Sequence, residues 1–425
     1  ALDLTAARNL IERLFGPGDP LHPDLQRRAA GVALLRRLCV VSGGPGTGTT
    51  TTVLRVLALL PGLAGGMLRV GLAAPTGKAA ARLEASVETG WGGLPASVRE
   101  TFASPGEAVT LHRLLGLRQN GDARYGPARA LPLDLLIVDE ASMVDLGLMV
   151  RVVEALAPEA RLILLGDKDQ LASVEAGAVL GDICSGNHGF SATMASDLSS
   201  LIGEPVEASP DARGIADSVT LLERSHRFGA TSGIGRLAAA VNRGDLSATR
   251  IALTEPDDVH WLCSDALSGS TVMDQLVTEA RIGYASFAQA VKQDAPPAAV
   301  LEAFEGYRFM CPLRVGRTGA ERVNQAVERA LGLGGRSGRA WYTGRPVLIS
   351  RNDHGMGLFN GDLGIALVEP DTGRLRVFFR TGAGEPRSVA PGRLPEHETA
   401  FAMTIHKSQG SEFDRVLVVP VSYTH

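Results

Sequence analysis

The stretch VVSGGPGTGTTTTVL, residues 40–54, decides the fold. An apolar run enters a cluster of glycines, and a helical pattern, TTTVLRVLALL (50–60), leaves it. Gly43 and Gly48 stand five apart, the spacing of a phosphate loop, G-x-x-x-x-G-K-[ST]. Gly43, Gly44, Gly46 and Gly48 let backbone N–H groups curl around a phosphate, and the helix N-terminus adds partial positive charge. Thr50 stands where the Mg2+-binding hydroxyl belongs. The residue before it should be lysine and is Thr49. Taken alone, the stretch is either a phosphate site without its main cation or a Gly/Thr turn.

The surrounding chain repeats the same strand-to-loop style. LRVGLAAPT (68–76), LDLLIVDEAS (133–142) and ARLILLGDKDQL (160–171) are apolar strands separated by helical stretches such as GKAAARLEAS. Continuous apolar strands alternating with helices predict a parallel sheet covered on both faces, with its chemistry at the carboxyl ends of the strands. Residues 187–218 read as a loop with short helices, and 265–306 as helical. From 344 to 398, short β-rich pieces split by Gly, Asn and Asp turns predict a small all-β module of about 50 residues. After it, TAFAMTIHKSQGSEFDRVLVVPV returns to the strand–loop–strand style.

Composition sets the bounds. The chain has 425 residues, 45% hydrophobic and 21% charged, which suits two or three globular domains. No apolar run approaches the length of a membrane span, and the start, ALDLTAARNLIERLFG, has no basic segment of the kind that opens a secretory signal. Cys39, Cys184, Cys263 and Cys311 lie too far apart in sequence for a zinc knuckle or CxxC motif, so reduced, buried thiols are expected. A net charge of −4 does not advertise nucleic-acid binding, although a local basic groove suffices for it. Lysine occurs only at Lys78, Lys168, Lys292 and Lys407, so its positions are informative.

Asp139 and Glu140 end an apolar strand roughly 90 residues after the glycine loop. One carboxylate there can hold Mg2+ through its water shell, and the other can orient and deprotonate an attacking water. Gln170, in LLGDKDQL, is placed to sense a γ-phosphate. Arg227, in ERSHRFG, has the placement of an arginine finger. Gln26, about 17 residues before the loop, carries an amide able to pair with adenine. Three stretches suit a phosphodiester backbone with hydroxyls, N–H groups and a cation at a strand end. They are Thr76 and Lys78, Thr110 and His112, and Thr404, His406, Lys407 and Ser408.

In order, LQRRAA, GGPGTGTTTT, APTGKAAARL, TLHRLLG, IVDEASMVD, GDKDQLASVEAG, SHRFG and AMTIHKSQGSEFD resemble motifs Q, I, Ia, Ib, II, III, IV and V of the superfamily 1B helicases. WYTGRPVLISRND, LFNGDLGIAL and RLPEHETAFAMTIHKSQGSEFD are similar to the RecD family, the α-subunits of exodeoxyribonuclease V (RecBCD). The resemblance runs from about residue 20 to 420. It implies an α/β fold of two RecA-like P-loop NTPase lobes with parallel sheets and an SH3-like β module inserted in the second. The implied division is a remnant at 1–20, a first lobe at 21–222 with a short insertion near 116–132, a second lobe at 223–343 and 399–425, and the module at 344–398.

The implied activity is that of an ATP-dependent 5′→3′ DNA helicase in bacterial double-strand-break repair. Its implied cofactors are ATP and Mg2+, its partners single-stranded DNA and RecB-like and RecC-like subunits, and its location the bacterial cytoplasm. By resemblance the ATP contacts are Gln26, Gly43, Gly44, Pro45, Gly46, Thr47, Gly48, Thr49, Thr50, Thr51, Gly410 and Glu412. Thr50 and Asp139 are the implied Mg2+ ligands, and Asp139, Glu140, Gln170 and Arg227 the catalytic set. The chain departs from the family at Thr49. It stops at VPVSYTH, ahead of motif VI, and most of the N-terminal docking domain is expected to be missing. The departure at Thr49 predicts weak ATP binding and poor hydrolysis. The alternative expectation is a catalytically silent structural subunit of the same complex.

Overall fold

The computed structural model describes residues 3–19, 21–44, 46–64, 68–94, 106–118, 121–171, 177–185, 189–223, 232–255, 258–262, 269–333, 340–353, 355–380 and 385–419. Of the side chains within helices, those at 50, 61–64 and 269–271 are outside this set. The chain divides into two compact units, Ala1–Trp261 and Leu262–His425.

The first unit is built on six parallel strands: β1 (Leu38–Gly43), β2 (Val70–Ala74), β3 (Val109–Thr110), β4 (Leu135–Val138), β5 (Arg161–Gly166) and β6 (Val219–Leu222). Their order across the sheet is β3-β2-β4-β5-β1-β6. Side chains alternate between faces, as a strand requires. Cys39, Val41, Leu135, Ile137, Ile163 and Leu165 enter one core, shared with helices α1 (Leu4–Phe15), α2 (Leu25–Leu35), α3 (Thr49–Ala64) and α4 (Gly77–Gly92). Val40, Leu136, Val138, Leu162 and Leu164 enter the other, with helices Leu111–Leu115, Leu146–Ala155 and Val179–Cys184. The strands are apolar on both faces because helices cover both faces. Each fully buried Val, Leu or Ile contributes roughly 1.5–3 kcal/mol.

One feature of this unit was not expected from the sequence. Strand β6 is four residues long and is specified by its pairing with β1, Val40 opposite Val219, rather than by local pattern. Within 187–218 lies an 11-residue helix, Ala192–Ile202, capped by the Ser191 hydroxyl and buried through Met194, Ala195, Leu198, Leu201 and Ile202. It packs on α2, where Leu198 and Ile202 lie so close to Gly31 that a Cβ there would stand 2.5 and 2.8 Å from them.

A buried ion pair fixes α2. Arg27 and Glu204 are each 1% exposed, with Nε and Oε1 3.9 Å apart. Arg27 Nη1 donates to Gly16 O, and Glu204 Oε2 accepts from Asp24 N. Removing one partner of such a pair strands the other charge in the interior. Glu204→Gln is therefore expected to destabilise the first unit by about 3–5 kcal/mol, read as a lowered denaturant midpoint for its unfolding transition. A loss below 1 kcal/mol would show that Arg27 finds another partner.

The second unit holds a three-stranded parallel sheet, order β13-β7-β14, formed by β7 (Tyr307–Cys311), β13 (Ala402–Thr404) and β14 (Arg415–Val418). The β-rich segment forms a five-stranded antiparallel sheet. Its strands are β8 (Arg345–Ile349), β9 (Leu363–Val368), β10 (Leu375–Phe379), β11 (Arg387–Val389) and β12 (His397–Thr399), in the order β11-β10-β9-β8-β12. Aromatics are scarce in the chain, yet Tyr284, Phe287, Phe304, Tyr307, Phe309 and Phe401 gather in one core here. Buried Asn324 donates to Ala402 O and accepts from Ala402 N, both at 2.8 Å, which pins β13 to helix Ala320–Leu331.

Among the described residues no helix is long and apolar enough to cross a membrane. The described cysteines, Cys39, Cys184 and Cys311, are free and buried. Burial pushes the Cys39 thiol up to about 12 and the Cys311 thiol to about 11.

Candidate nucleotide site and strand path

The glycine loop is held open by its own geometry. Gly46 and Gly48 adopt φ of 79° and 83°, the left-handed region that glycine enters without strain. A Cβ at Gly48 would lie 2.1 Å from Gln26 Nε2, and one at Gly43 would lie 2.3 Å from Thr47 Oγ1. The Thr47 hydroxyl donates to Gly44 O at 2.8 Å and closes the turn. Thr49 then opens α3, which runs 16 residues, with Thr51 exposed in its first turn. Pro45, the Thr50 side chain and Arg227 lie outside the described residues.

Strand order brings the acids beside this loop. β5 pairs with both β1 and β4, so its carboxyl end lies between the loop and Asp139–Glu140. Lys168 N donates to Ser42 Oγ at 2.9 Å, tying the end of β5 to β1. Asp167 Oδ2 lies 3.7 Å from where a Cβ of Gly44 would stand. Asp139 Oδ1 accepts from Glu140 N at 2.9 Å. Glu140 has φ 53° and ψ 40°, left-handed for a residue with a Cβ. That conformation costs on the order of 1–2 kcal/mol, and strain of this kind is held where surrounding structure over-determines it.

Burial raises the pKa values of Asp139, Glu140 and Asp167. For Glu140, repulsion from Asp139 adds to burial, and Arg82 and a hydrogen bond from Gln170 partly offset it. Ser142, buried in the turn after Glu140, hydrogen-bonds Gln170 Oε1 through its Oγ at 3.0 Å. Sequence reasoning missed Arg82, Ser142 and Ser42. Arg82 lies four residues after Lys78 on α4, so helical spacing was the available signal for it. The roles of Ser142 and Ser42 depend on neighbours 28 and 126 residues away.

Gln26 is turned onto the loop. Its Nε2 donates to Thr47 O at 3.1 Å, and its Oε1 accepts from Arg55 Nη1 at 3.1 Å. Arg55 in turn stacks 4.5 Å over the Phe15 ring. A base that pairs with Gln26 must share or displace these contacts.

The three backbone-contact stretches fall into two groups. Thr76 caps α4 and Thr110 caps helix Leu111–Leu115, each through its hydroxyl. They end neighbouring parallel strands, since Ala74 stands opposite Thr110. Lys78 lies half-buried in the first turn of α4, and His112 is exposed. In the second unit Thr404 ends β13 and precedes helix Ile405–Ser408, with His406 exposed. Gly410 follows at φ 69°, and Glu412 is exposed. Both groups sit where parallel strands end and helices begin, the position at which an α/β sheet presents N–H groups to a ligand.

Residues 26–176 match a family model described as an AAA domain. A protein of Mycolicibacterium smegmatis named RecBCD enzyme subunit RecD is 40% identical, over 96% of this chain and 67% of that protein. A Deinococcus radiodurans protein named ATP-dependent RecD2 DNA helicase is 31% identical, over 90% of this chain and 43% of its own length. A solved Bacteroides Pif1 helicase, in complex with ADP-AlF3 and single-stranded DNA, aligns at a TM-score of 0.44 and 19% identity, covering 92% of this chain and 84% of that one. The chain spans about two thirds of the length of the RecD proteins it matches.

Proposed function

This chain belongs to the RecD family of RecBCD enzyme subunits, and from that premise we propose that it is the ATP-driven 5′→3′ helicase motor of a bacterial helicase–nuclease, weakened in hydrolysis by Thr49. The observation that carries this reading is the shared strand edge. A left-handed glycine loop opening a 16-residue helix stands beside a buried acidic pair ordered by Gln170 and Ser142. Such an edge binds a polyphosphate and directs a water at its end. In this reading the lobes are RecA-like, the antiparallel sheet at 345–399 is the SH3-like insertion, and the partners are RecB-like and RecC-like subunits in the cytoplasm.

The loop amides from Gly43 to Gly48 hold the phosphates, and Gln26 reads the adenine edge. Asp139 and the Thr50 hydroxyl would hold Mg2+, which when bound neutralises the phosphate charge. The residues present fit that ion. Asp139, Glu140 and Asp167 are all pushed toward protonation by burial, and a cation relieves that cost. Among the described residues no three His, Cys, Asp or Glu converge into a metal cage. Mg2+ needs none, since one or two carboxylates, waters and phosphates complete its shell. Glu140 accepts the proton of the attacking water, and Gln170 holds that carboxylate and the water in register. Arg227 supplies positive charge to the γ-phosphate as it leaves.

In this reading Thr76, Lys78, Thr110 and His112 of the first unit contact a single strand, and so do Thr404, His406, Lys407 and Ser408 of the second. Binding of an oligothymidylate to the chain at the full length of its relatives should weaken steeply between 50 and 200 mM salt, as counterion release requires. Equal binding at both salt concentrations would remove the DNA half of the reading. Gln26→Ala should raise KM for ATP about tenfold or more, the loss of one bidentate amide–base pair, with kcat little changed. An unchanged KM would show that Gln26 serves the loop and Arg55 alone. A second reading, a silent structural subunit, is favoured by Thr49. It predicts that Thr49→Lys restores no turnover.

A further inference from the structure

Lys407 does not stand alone at the end of β13. Its Nζ donates to Glu398 Oε1 at 2.8 Å, with the two side chains 28% and 27% exposed. Glu398 lies on β12 of the antiparallel sheet, opposite Leu348 of β8, and Lys407 lies in helix Ile405–Ser408. The pair therefore bridges the antiparallel sheet and the start of the last motif. Both groups are too sheltered for water to screen the attraction fully. An ammonium in that setting loses part of its hydration and needs an anion.

We propose that Glu398 is the positioning residue that sets the grip on DNA: its carboxylate competes with a phosphodiester for Lys407. The inference rests on the reading of 404–408 as part of the strand path. With Glu398 in place the pair carries no net charge, and a phosphate must displace a carboxylate to reach the cation. Once a phosphate leaves, the carboxylate takes the ammonium back, so release strands no half-buried charge. A motor that must let go of the strand in each cycle gains from such an exchange. Glu398 acts only through Lys407 and touches no DNA itself.

The test compares the full-length chain with its Glu398→Gln, Lys407→Gln and double variants. Each is titrated with a labelled oligothymidylate between 50 and 200 mM salt. Glu398→Gln should bind about three- to tenfold tighter at the lowest salt. Its plot of log affinity against log salt should steepen by about 0.7, the increment for one more phosphate contact on a single strand. The double variant should fall back to the level of Lys407→Gln. A merely structural ion pair would change the melting temperature and leave the salt slope alone. Binding by Glu398→Gln equal to or weaker than that of the parent overturns the inference while the strand path stands, as does a double variant that stays as tight as Glu398→Gln. Failure of the parent to bind at 50 mM salt overturns the strand path, and the inference with it.

Discussion

Thr49→Lys is expected to raise ATP turnover by about 10²–10³-fold at saturating single-stranded DNA, the usual effect of one preorganised electrostatic contact. Thr49 follows Gly48, whose φ of 83° aims the chain into α3. The side chain at 49 leaves the loop at the point where a lysine ammonium reaches the β- and γ-phosphates. A threonine hydroxyl brings no charge there. The nearby cations have other occupations. Arg55 holds Gln26 and stacks on Phe15, Lys168 donates to Asp169, and Arg82 faces the acidic pair. The loop amides remain, so binding of nucleotide should change far less than its hydrolysis. The comparison is kcat for the two forms, each at the full length of its relatives. Turnover by the Thr49 form within threefold of the lysine form would mean that one of these cations has moved to the phosphates.

Glu140→Gln in the Thr49→Lys background should lower kcat by about 10²–10⁴-fold, the worth of a positioned general base, and leave nucleotide affinity within a few-fold. Glutamine keeps the shape and one hydrogen-bond acceptor but cannot take a proton. The site is built to make Glu140 a better base than an exposed carboxylate. Burial and Asp139 both raise its pKa, and Arg82 and Gln170 partly offset the rise. Glutamine and glutamate have the same backbone and side-chain length, so the substitution tests the chemistry at a left-handed position without adding bulk there. A fall of less than tenfold would assign the base to another group, with Asp167, whose charge also acts on Glu140, a candidate.

The loop and the acids were legible in the sequence because each is a local motif fixed to the end of an apolar strand. The alternation that sends Val41 to one face and Val40 to the other is equally local, and so is the β-rich stretch that became the antiparallel sheet. What was not legible depends on partners far away in the chain. β6 exists because β1 offers it an edge. Arg27 is an unremarkable helix residue until Glu204 meets it in the interior. Gln26 reads as a free amide, and only the fold shows it bonded to Thr47 O and Arg55. Lys407 reads as a spare cation until β12 brings Glu398 to it. Pro45, the side chain of Thr50 and Arg227, all named from motifs, lie outside the described residues.

In the proposed function a phosphate site in the first unit drives a machine that works on a single strand. The most direct test is ATP turnover by the full-length Thr49→Lys protein with and without oligothymidylate at low salt. A low basal rate that rises at least tenfold with DNA is expected, on the order of what coupling free energies of 1–3 kcal/mol allow. Equal rates with and without DNA would contradict it.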